Sequence, residues 1–532
     1  MKDVRAKSVW RRIATTPAPD SEVHHASVVI VGAGPVGLTL ALDLARRGRK
    51  VVVISRFDYI AAGSRAICFA KRTLDIWRGL GVCDAMIARG VRWDTGKLFW
   101  RDDDAPIYQF NLSAAQDEQS PAFINIQQYL VEEILVEALM GYDDVDIRWG
   151  HDVLDVSPGG NQSILRIAAA GRSYELAADW VVACDGSRST VRQSLKLEFE
   201  GRVFEDNFLI ADIRMTMDRP SERWFWFDPP FNRGGSALLH KQPDDVWRLD
   251  FQLGWDIDRQ ACVKPENVER LVRAMLGQDV EFTPEWYSVY TFQCRRMERF
   301  VWGNVIFAGD AAHLVSPFGA RGCNGGIADV ANLGWKLDAV IAGRAGRGLI
   351  ETYNEEAITI ADANILHSTR STDFMTPKSN ASRQLRDAVL ELARDYEFAR
   401  PMVNSGRLST AVSLHGSSLN TPDPGDAFDV GIQPGSPLPD APIADGWLLG
   451  GLDSQRATLL ANAWTGDLPD NVDLIDIAVS ADPLLAARYR LDPGAAMLVR
   501  PDHYVAARWR HPTVDAIAQA ADRCLGVLPP CT

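Results

Sequence analysis

Apolar positions along residues 26–56 change their period twice. Val28 to Val31 is a short β-branched run, which predicts a buried strand. Leu38, Ala41, Leu42 and Leu44 then recur at helical spacing, Gly48 ends the helix, and Val51 to Ile54 predict a second strand. Gly32, Gly34 and Gly37 occupy the first strand-to-helix turn. Further on, residues 64–80 predict a turn and a helix, and 127–140 an amphipathic helix with Leu130, Ile134, Leu135 and Leu139 on one face. Residues 144–183 alternate like strands and end in Cys184-Asp185-Gly186. Residues 91–126 are polar and strand-like, whereas 205–298 are strands rich in aromatic residues, among them Trp224, Phe225, Trp226, Phe227, Trp247 and Phe251. Val305 to Phe307 lead into Gly309-Asp310, then a glycine-rich loop and a helix from about Ile327. Residues 352–402 are periodic in the helical manner, and 416–446, rich in Gly, Pro, Ser and Asp, predict a linker. The remainder alternates like a small α/β module.

This pattern sets fold class and domain order. The class is α/β, and 532 residues exceed one ordinary domain. The expected division is a mobile N-terminal arm (1–25), a discontinuous nucleotide-binding domain (26–90, 126–204 and 299–400), a sheet domain that could wall a pocket for a flat apolar substrate (91–125 and 205–298), the linker (416–446) and a C-terminal domain (447–532). Composition changes little: 46% hydrophobic and 24% charged residues are ordinary for a globular chain. A net charge of −14 argues against a nucleic-acid partner and an anionic membrane surface, and no apolar run reaches the ~18 residues of a membrane span. The first residues carry Arg5, Lys7, Arg11 and Arg12 without an apolar core, which does not fit a secretory signal. Eight scattered cysteines without a C-x-x-C pair fit a reduced, cytoplasmic protein, and no metal-ligand spacing is present.

The chemistry begins at the glycines. Gly32, Gly34 and Gly37 stand at the G-x-G-x-x-G spacing between a strand and a helix, where backbone can approach a pyrophosphate and the helix N-terminus faces its charge. The second strand would normally end in an acid that accepts from a ribose; here Ser55 and Arg56 stand there. Serine can still bond a hydroxyl, and an arginine could meet a 2′-phosphate, so FAD, NAD and NADP all remain open. Asp185 and Asp310 each follow a buried strand, a position at the carboxyl edge of a sheet where α/β folds bind ligands. Arg65, near a helix start, could meet a phosphate or a flavin edge.

Taken in order, Gly32-x-Gly34-x-x-Gly37, Asp185-Gly186 with Ser189 and Arg192, and Gly309-Asp310-Ala311-Ala312-His313 with Pro317, Gly322, Asn324, Gly326, Asp329, Asn332 and Trp335-Lys336-Leu337 resemble the class A FAD-dependent aromatic monooxygenases of the phenol hydroxylase-like branch. The resemblance implies a Rossmann-like FAD-binding domain of the glutathione reductase type, an inserted mixed or antiparallel sheet domain for the substrate, and a thioredoxin-like C-terminal domain. It implies that Gly32, Gly34 and Gly37 hold the FAD pyrophosphate, that Arg65 and Gln128 contact the cofactor, and that Asp185 lies near the pyrophosphate. Gly309-Asp310 would meet the ribityl chain, and Pro317, Gly322, Cys323 and Asn324 the isoalloxazine ring. The implied reaction consumes NADPH or NADH and O2 and hydroxylates a small phenolic substrate through a C4a-hydroperoxyflavin; a homodimer would be in keeping. A reductase or dehydrogenase on the same fold, or a flavin-binding protein of reduced activity, are the alternatives. Ser55 and Arg321 depart from the pattern: the first predicts altered FAD retention, and the second could act beside the flavin or bind an acidic substrate, as could Arg214 or Arg248. A base must help to ionise the phenol, and His240, Tyr290 and Asp212 are the candidates in the substrate region.

Overall fold

The computed structural model describes residues 9–19, 23–63, 65–112, 118–403, 408–423, 431–443, 446–479, 485 and 488–527. The β-branched run around Val28 lies in the strand Val23–Val31, at the centre of a sheet ordered Val145–Trp149, Val51–Ser55, Val23–Val31, Arg172–Ala183, Ser163–Ala169, His151–Pro158. Strands on both sides of the glycine turn run parallel to Val23–Val31. Burial on both faces explains why Val28, Val29 and Ile30 are apolar in succession rather than alternating. Val305–Phe307 adds a further parallel partner to Arg172–Ala183, which brings the ends of the strands before Gly32, Asp185 and Gly309 to one edge.

The second sheet is ordered His313–Leu314, Thr283–Arg296, Glu200–Arg214, Val246–Gln252, Ser236–Lys241, Arg223–Phe227, Thr95–Trp100, Tyr108–Asn111. Only the pair Arg223–Phe227 and Thr95–Trp100 is parallel. Its strands alternate between two apolar faces. Leu209, Ala211, Leu249 and Phe251 face the helix Pro265–Leu276, an element the aromatic-strand pattern concealed. Phe208, Phe225, Phe227, Leu238 and Phe292 form the inner face, packed on Phe318 and Met375.

A third sheet is ordered Val472–Asp476, Ala457–Ala461, Ala496–Val499, Val505–Trp509, with the first pair parallel and the others antiparallel. Leu459, Leu498 and Ile517 share a core with Trp335 and Leu349 of the helices Gly322–Ile341 and Gly348–Met375. Beside it lies a buried ionic cluster. Glu356 accepts from Lys336 Nζ (2.6 Å) and both Nη groups of Arg500 (2.5 and 2.9 Å), and Arg500 also donates to Asp502 (2.6 Å). Described residues of the expected linker lie along the C-terminal sheet, with Thr421 N donating to Ala506 O and Leu438 N to His503 O.

The expected mobile arm differs from the observed chain. Val9–Arg12 is a strand paired with Tyr59–Ala61, and Val23–His25 belong to the central sheet. Trp10 stacks on Tyr129 at 4.4 Å and Arg11 pairs with Glu133 and Glu137, contacts that no local periodicity announces. Arg5 and Lys7 lie outside the described residues.

Candidate functional site

The glycine turn works by three different constraints. Gly32 has φ +115°, and a Cβ there would overlap the carbonyl of Cys184. A Cβ on Gly37 would overlap the Gly32 carbonyl, closing the gap between helix and strand. A Cβ on Gly34 would meet no protein atom within 4 Å. Gly34 therefore faces open space at the start of the helix Pro35–Arg46, whose N-terminus carries no side-chain cap. Such a terminus, with Pro35 in its first turn, leaves amides directed at whatever anion occupies the space.

Ser55 ends its strand buried, and its hydroxyl donates to the carbonyl of Phe57 at 3.0 Å, which leaves the oxygen able to accept. Arg56 is exposed and lies over the ring of Phe57, 4.8 Å from its centroid. At the neighbouring strand end, Asp185 Oδ2 accepts from Val191 N at 3.2 Å, and Asp185 Oδ1 is buried without a hydrogen bond. Burial raises the Asp185 carboxyl, and hydrogen bonds with Ser189 and the helix-start amides oppose it. Arg192 braces this corner by donating to Ala311 O (3.0 Å) and Ser187 O (2.8 Å).

Gly309-Asp310-Ala311 is a single 3-10 turn. It is held from below by Asp329 of the helix Gly322–Ile341, whose Oδ2 accepts from Gly309 N (2.9 Å) and from His313 Nε2 (2.6 Å). Burial lowers the His313 imidazole, but the charge and hydrogen bond of Asp329 outweigh it, and the net shift is upward. Asp310 itself makes no hydrogen bond among the described residues. Burial raises its carboxyl, while His313 and Arg65 pull it down. Arg65 acts in the same sense on two further neighbours that burial raises, Tyr290 and Glu132, the latter to about 7. Gln128 joins the group, accepting from Ala66 N (3.2 Å) and donating to Glu132 (2.8 Å). The fold thus brings Arg65, Gln128, Asp310 and Tyr290 together.

The loop of Pro317, Gly322, Cys323 and Asn324 lies beside this group, but its parts differ from expectation. The helix starts at Gly322 rather than near Ile327. Asn324 is consumed internally: its Oδ1 accepts from Ala70 N (2.9 Å) and Thr73 Oγ1 (2.6 Å), and its Nδ2 donates to Cys68 O (3.0 Å) and Ala320 O (2.5 Å). Pro317 is exposed and its carbonyl closes a turn on Ala320 N. Burial raises the Cys323 thiol, and the nearby Asp310 and Glu132 charges add to it. Later glycines serve helix packing: a Cβ on Gly326 would lie 2.6 Å from Val36, and one on Gly334 would overlap Asp43. Arg321 is buried and donates to Asn364 (3.0 Å) and Leu408 O (3.2 Å), so its guanidinium is engaged by protein.

All three base candidates lie on the inner face of the second sheet. Cross-strand pairing sets Arg223, His240, Arg248 and Asp212 in one row. Asp212 holds Arg248 through both oxygens (2.8 and 2.7 Å) and accepts from Gln242 (3.1 Å), which makes it an ion-pair partner. Burial and the two arginines push His240 well below 6.5, so it is neutral at pH 7. Tyr290 lies further along the face, paired with Phe208. Sequence reasoning missed Arg223 and Asp250 on this face. Asp250 is two residues from Arg248, and its carboxyl is raised to about 7 by burial, with Arg248 and Arg223 lowering it and Asp212 raising it. Arg214, by contrast, is exposed and paired with Glu285 (3.0 Å).

These residues fit FAD on their own chemistry: open space at Gly34 before an uncapped helix, an unbonded Asp185 oxygen, and an Asp310 with no protein donor. The comparisons agree. A family model described as an FAD binding domain matches residues 25–368. The chain is 35% identical over 362 residues to 6-methylpretetramide 4-monooxygenase of Streptomyces rimosus, covering 66% of this chain and 63% of that protein, so it spans under two thirds of that relative's length. It is 30% identical over 505 residues to 12-dehydrotetracycline 5-monooxygenase/anhydrotetracycline 6-monooxygenase of Streptomyces rimosus, covering 90% and 94%. In fold it is similar to a flavin-dependent monooxygenase, PieE, crystallised with FAD and substrate, with a TM-score of 0.79 over 96% of this chain and all of that one, at 23% identity. Cradle geometry, matched segment and near full-length similarity converge: the chain belongs to the FAD-binding family of flavin-dependent aromatic monooxygenases.

Proposed function

We propose that this protein is an FAD-dependent monooxygenase that uses NAD(P)H and O2 to hydroxylate a phenolic or polyketide-like aromatic ring. The observation that carries the reading is the meeting of two surfaces. Arg248, on the inner face of the second sheet, donates to the Arg65 carbonyl (3.1 Å), and Phe318, just before the Gly322–Ile341 helix, packs edge-on against Phe208 and Phe292 of that face. When bound, FAD supplies hydride acceptance and oxygen activation. The chain's own tasks are binding, orientation and exclusion of water. Gly34 and the Pro35 helix would hold the diphosphate, Ser55 the adenosine ribose, and Asp310 the ribityl hydroxyls. Phe208, Phe225, Leu238 and Phe318 supply an apolar wall that keeps water out.

The names of the relatives favour phenolic or polycyclic substrates, which suits a wide aromatic face. The C-terminal module is read as thioredoxin-like, supported by its mixed four-strand order and the closing helix Val514–Cys524. It has no C-x-x-C pair, and its role is structural, anchored through Arg500 to Glu356. The test is purified FAD-loaded protein with a panel of phenols, scored for coupled product. Phenol-stimulated NAD(P)H oxidation with a hydroxylated product is expected. Protein that takes up no FAD, or that turns over equally well without O2, contradicts the reading.

A further inference from the structure

The inner face of the second sheet is apolar at one end and charged at the other. Its charged row reads Arg223, His240, Arg248 and Asp212 across adjacent strands, with Asp250 in the next row on the same face. Directly opposed residues on adjacent strands lie within side-chain reach of one another. Arg248 is fully engaged, by Asp212 and by the carbonyl of Arg65 (3.1 Å), and the latter bond places the row under the Arg65 loop of the cofactor cleft.

Arg223 differs. It is 7% exposed, yet it makes no hydrogen bond or ion pair among the described residues. Unlike Arg321 Nε or Arg295 Nε, its nitrogens are not sealed from solvent, so a guanidinium that no protein group engages keeps its donors available to an anion in the open space beside the sheet. Its charged neighbours are arranged around it without touching it. Asp250 is the near acid, without a hydrogen bond of its own among the described residues and 4.0 Å from His240 Nε2. The groups facing Asp250 are His240 from the neighbouring strand, Arg223 from the strand beyond it, Arg248 on its own strand, Asp212 across from Arg248, and Cys68 from the small strand Cys68–Ala70. Cys68 donates to Asn125 Oδ1 (3.0 Å) and burial raises its thiol to about 11, so it is not the anion that answers Arg223. Phe225 and Leu238, adjacent on the same face, would lie along a ring whose oxygen reached this pair.

We propose that Arg223 and Asp250 form the site for the substrate's ionising hydroxyl: Arg223 holds the oxygen as an anion, and Asp250 takes its proton. The O–H bond of the phenol breaks, an O–H bond forms on an Asp250 oxygen, and the negative charge passes to the phenolic oxygen opposite the guanidinium. His240 is a positioning residue that separates the two arginines. Asp250 is suited to the task because its carboxyl is partly open, makes no hydrogen bond among the described residues and lies 4.0 Å from His240 Nε2; partial burial, which raises it to about 7, favours its taking a proton. This inference rests on the monooxygenase reading, but its Arg223 half is tested by binding alone, without turnover.

The experiment uses the FAD-loaded protein with 4-nitrophenol, whose anion is yellow, and 4-nitroanisole, which has no ionisable hydroxyl. Difference spectroscopy below the solution pKa of the phenol reads affinity and ionisation state together, without NAD(P)H or O2. The wild type should bind 4-nitrophenol as its anion and more tightly than 4-nitroanisole. Arg223→Met should weaken 4-nitrophenol binding roughly 30-fold, as expected when one partner of a buried charge pair is truncated, and leave 4-nitroanisole unchanged. Arg223→Lys should restore part of the loss, which separates lost charge from lost folding. Asp250→Asn should slow coupled hydroxylation most at pH values below the phenol's pKa. The proposal is overturned if the wild type shows no preference for 4-nitrophenol, if Arg223→Met weakens both probes equally, or if Asp250→Asn leaves the pH profile unmoved. A protein that binds 4-nitrophenol as predicted but never oxidises NAD(P)H in its presence sinks the monooxygenase reading instead, with the binding site intact.

Discussion

Replacing Asp329 with alanine removes the support of the Gly309–Ala311 turn without touching the cleft surface. Asp329 is fully buried, and one oxygen carries both the Gly309 amide and the His313 imidazole. Alanine leaves the amide unsatisfied, at about 1–3 kcal/mol, and breaks a buried charge-assisted pair, for which truncation of one partner costs about 3–5 kcal/mol. Because both losses fall on one atom they are not additive, and about 4 kcal/mol is expected for the FAD-binding domain. The turn that presents Asp310 would also loosen, and about 1.4 kcal/mol of lost positioning weakens FAD about tenfold. Asp329→Asn keeps one acceptor and should fall between alanine and wild type. The pH dependence has a definite sign. His313 is raised in the folded protein, so its pairing contributes fully below pH 6.5 and is lost as pH rises through the folded value. The penalty of Asp329→Asn should therefore be larger below pH 6.5 and shrink above it. Thermal unfolding at two pH values and FAD titration of apoprotein measure both effects. An alanine variant that melts with the wild type and binds FAD equally well, or a penalty that grows with pH, would refute the reasoning.

The two glycines of the turn should behave differently. Gly32→Ala places a Cβ against Cys184 at a positive φ and should yield little soluble holoprotein, whereas Gly34→Ala should fold with an unchanged melting temperature as apoprotein but bind FAD more weakly; equal behaviour of the pair would contradict the assignment. Ser55→Glu should tighten FAD binding by supplying the missing ribose acceptor, and an unchanged dissociation constant would show that the serine already suffices. Glu356→Ala strands Lys336 and Arg500 against Asp502 alone; limited proteolysis should then release the C-terminal module at a markedly lower temperature, in line with a cost of about 3–5 kcal/mol, and wild-type resistance would argue against the ionic anchor.

The cofactor half of the site was legible because its signals are local. Gly32, Gly34 and Gly37 lie within one turn of chain, and Asp185 and Asp310 each follow directly on an apolar strand. Other features depend on register between distant segments. Arg223, His240, Arg248 and Asp212 become a row only when four strands pair in the observed order, and nothing near Arg223 in sequence signals its isolation. Asp212 read alone is a plausible base; opposite Arg248 it is an ion-pair partner. Among the glycines at the start of the Gly322–Ile341 helix, Gly326 has a packing role that the sequence did not signal. It makes room for Val36, a contact between helices far apart in sequence. The N-terminal strand Val9–Arg12 was hidden for a further reason: its stability comes from Trp10 on Tyr129 and Arg11 on Glu133, not from its own pattern.

The central claim is that this fold places an aromatic ring where reduced FAD and O2 meet. Turnover of the FAD-loaded protein with NAD(P)H and an accepted phenol under isotopically labelled dioxygen tests it most directly. The account predicts one labelled oxygen atom in each product molecule and no product when O2 is removed. Product formed anaerobically, or carrying oxygen from water, would contradict it.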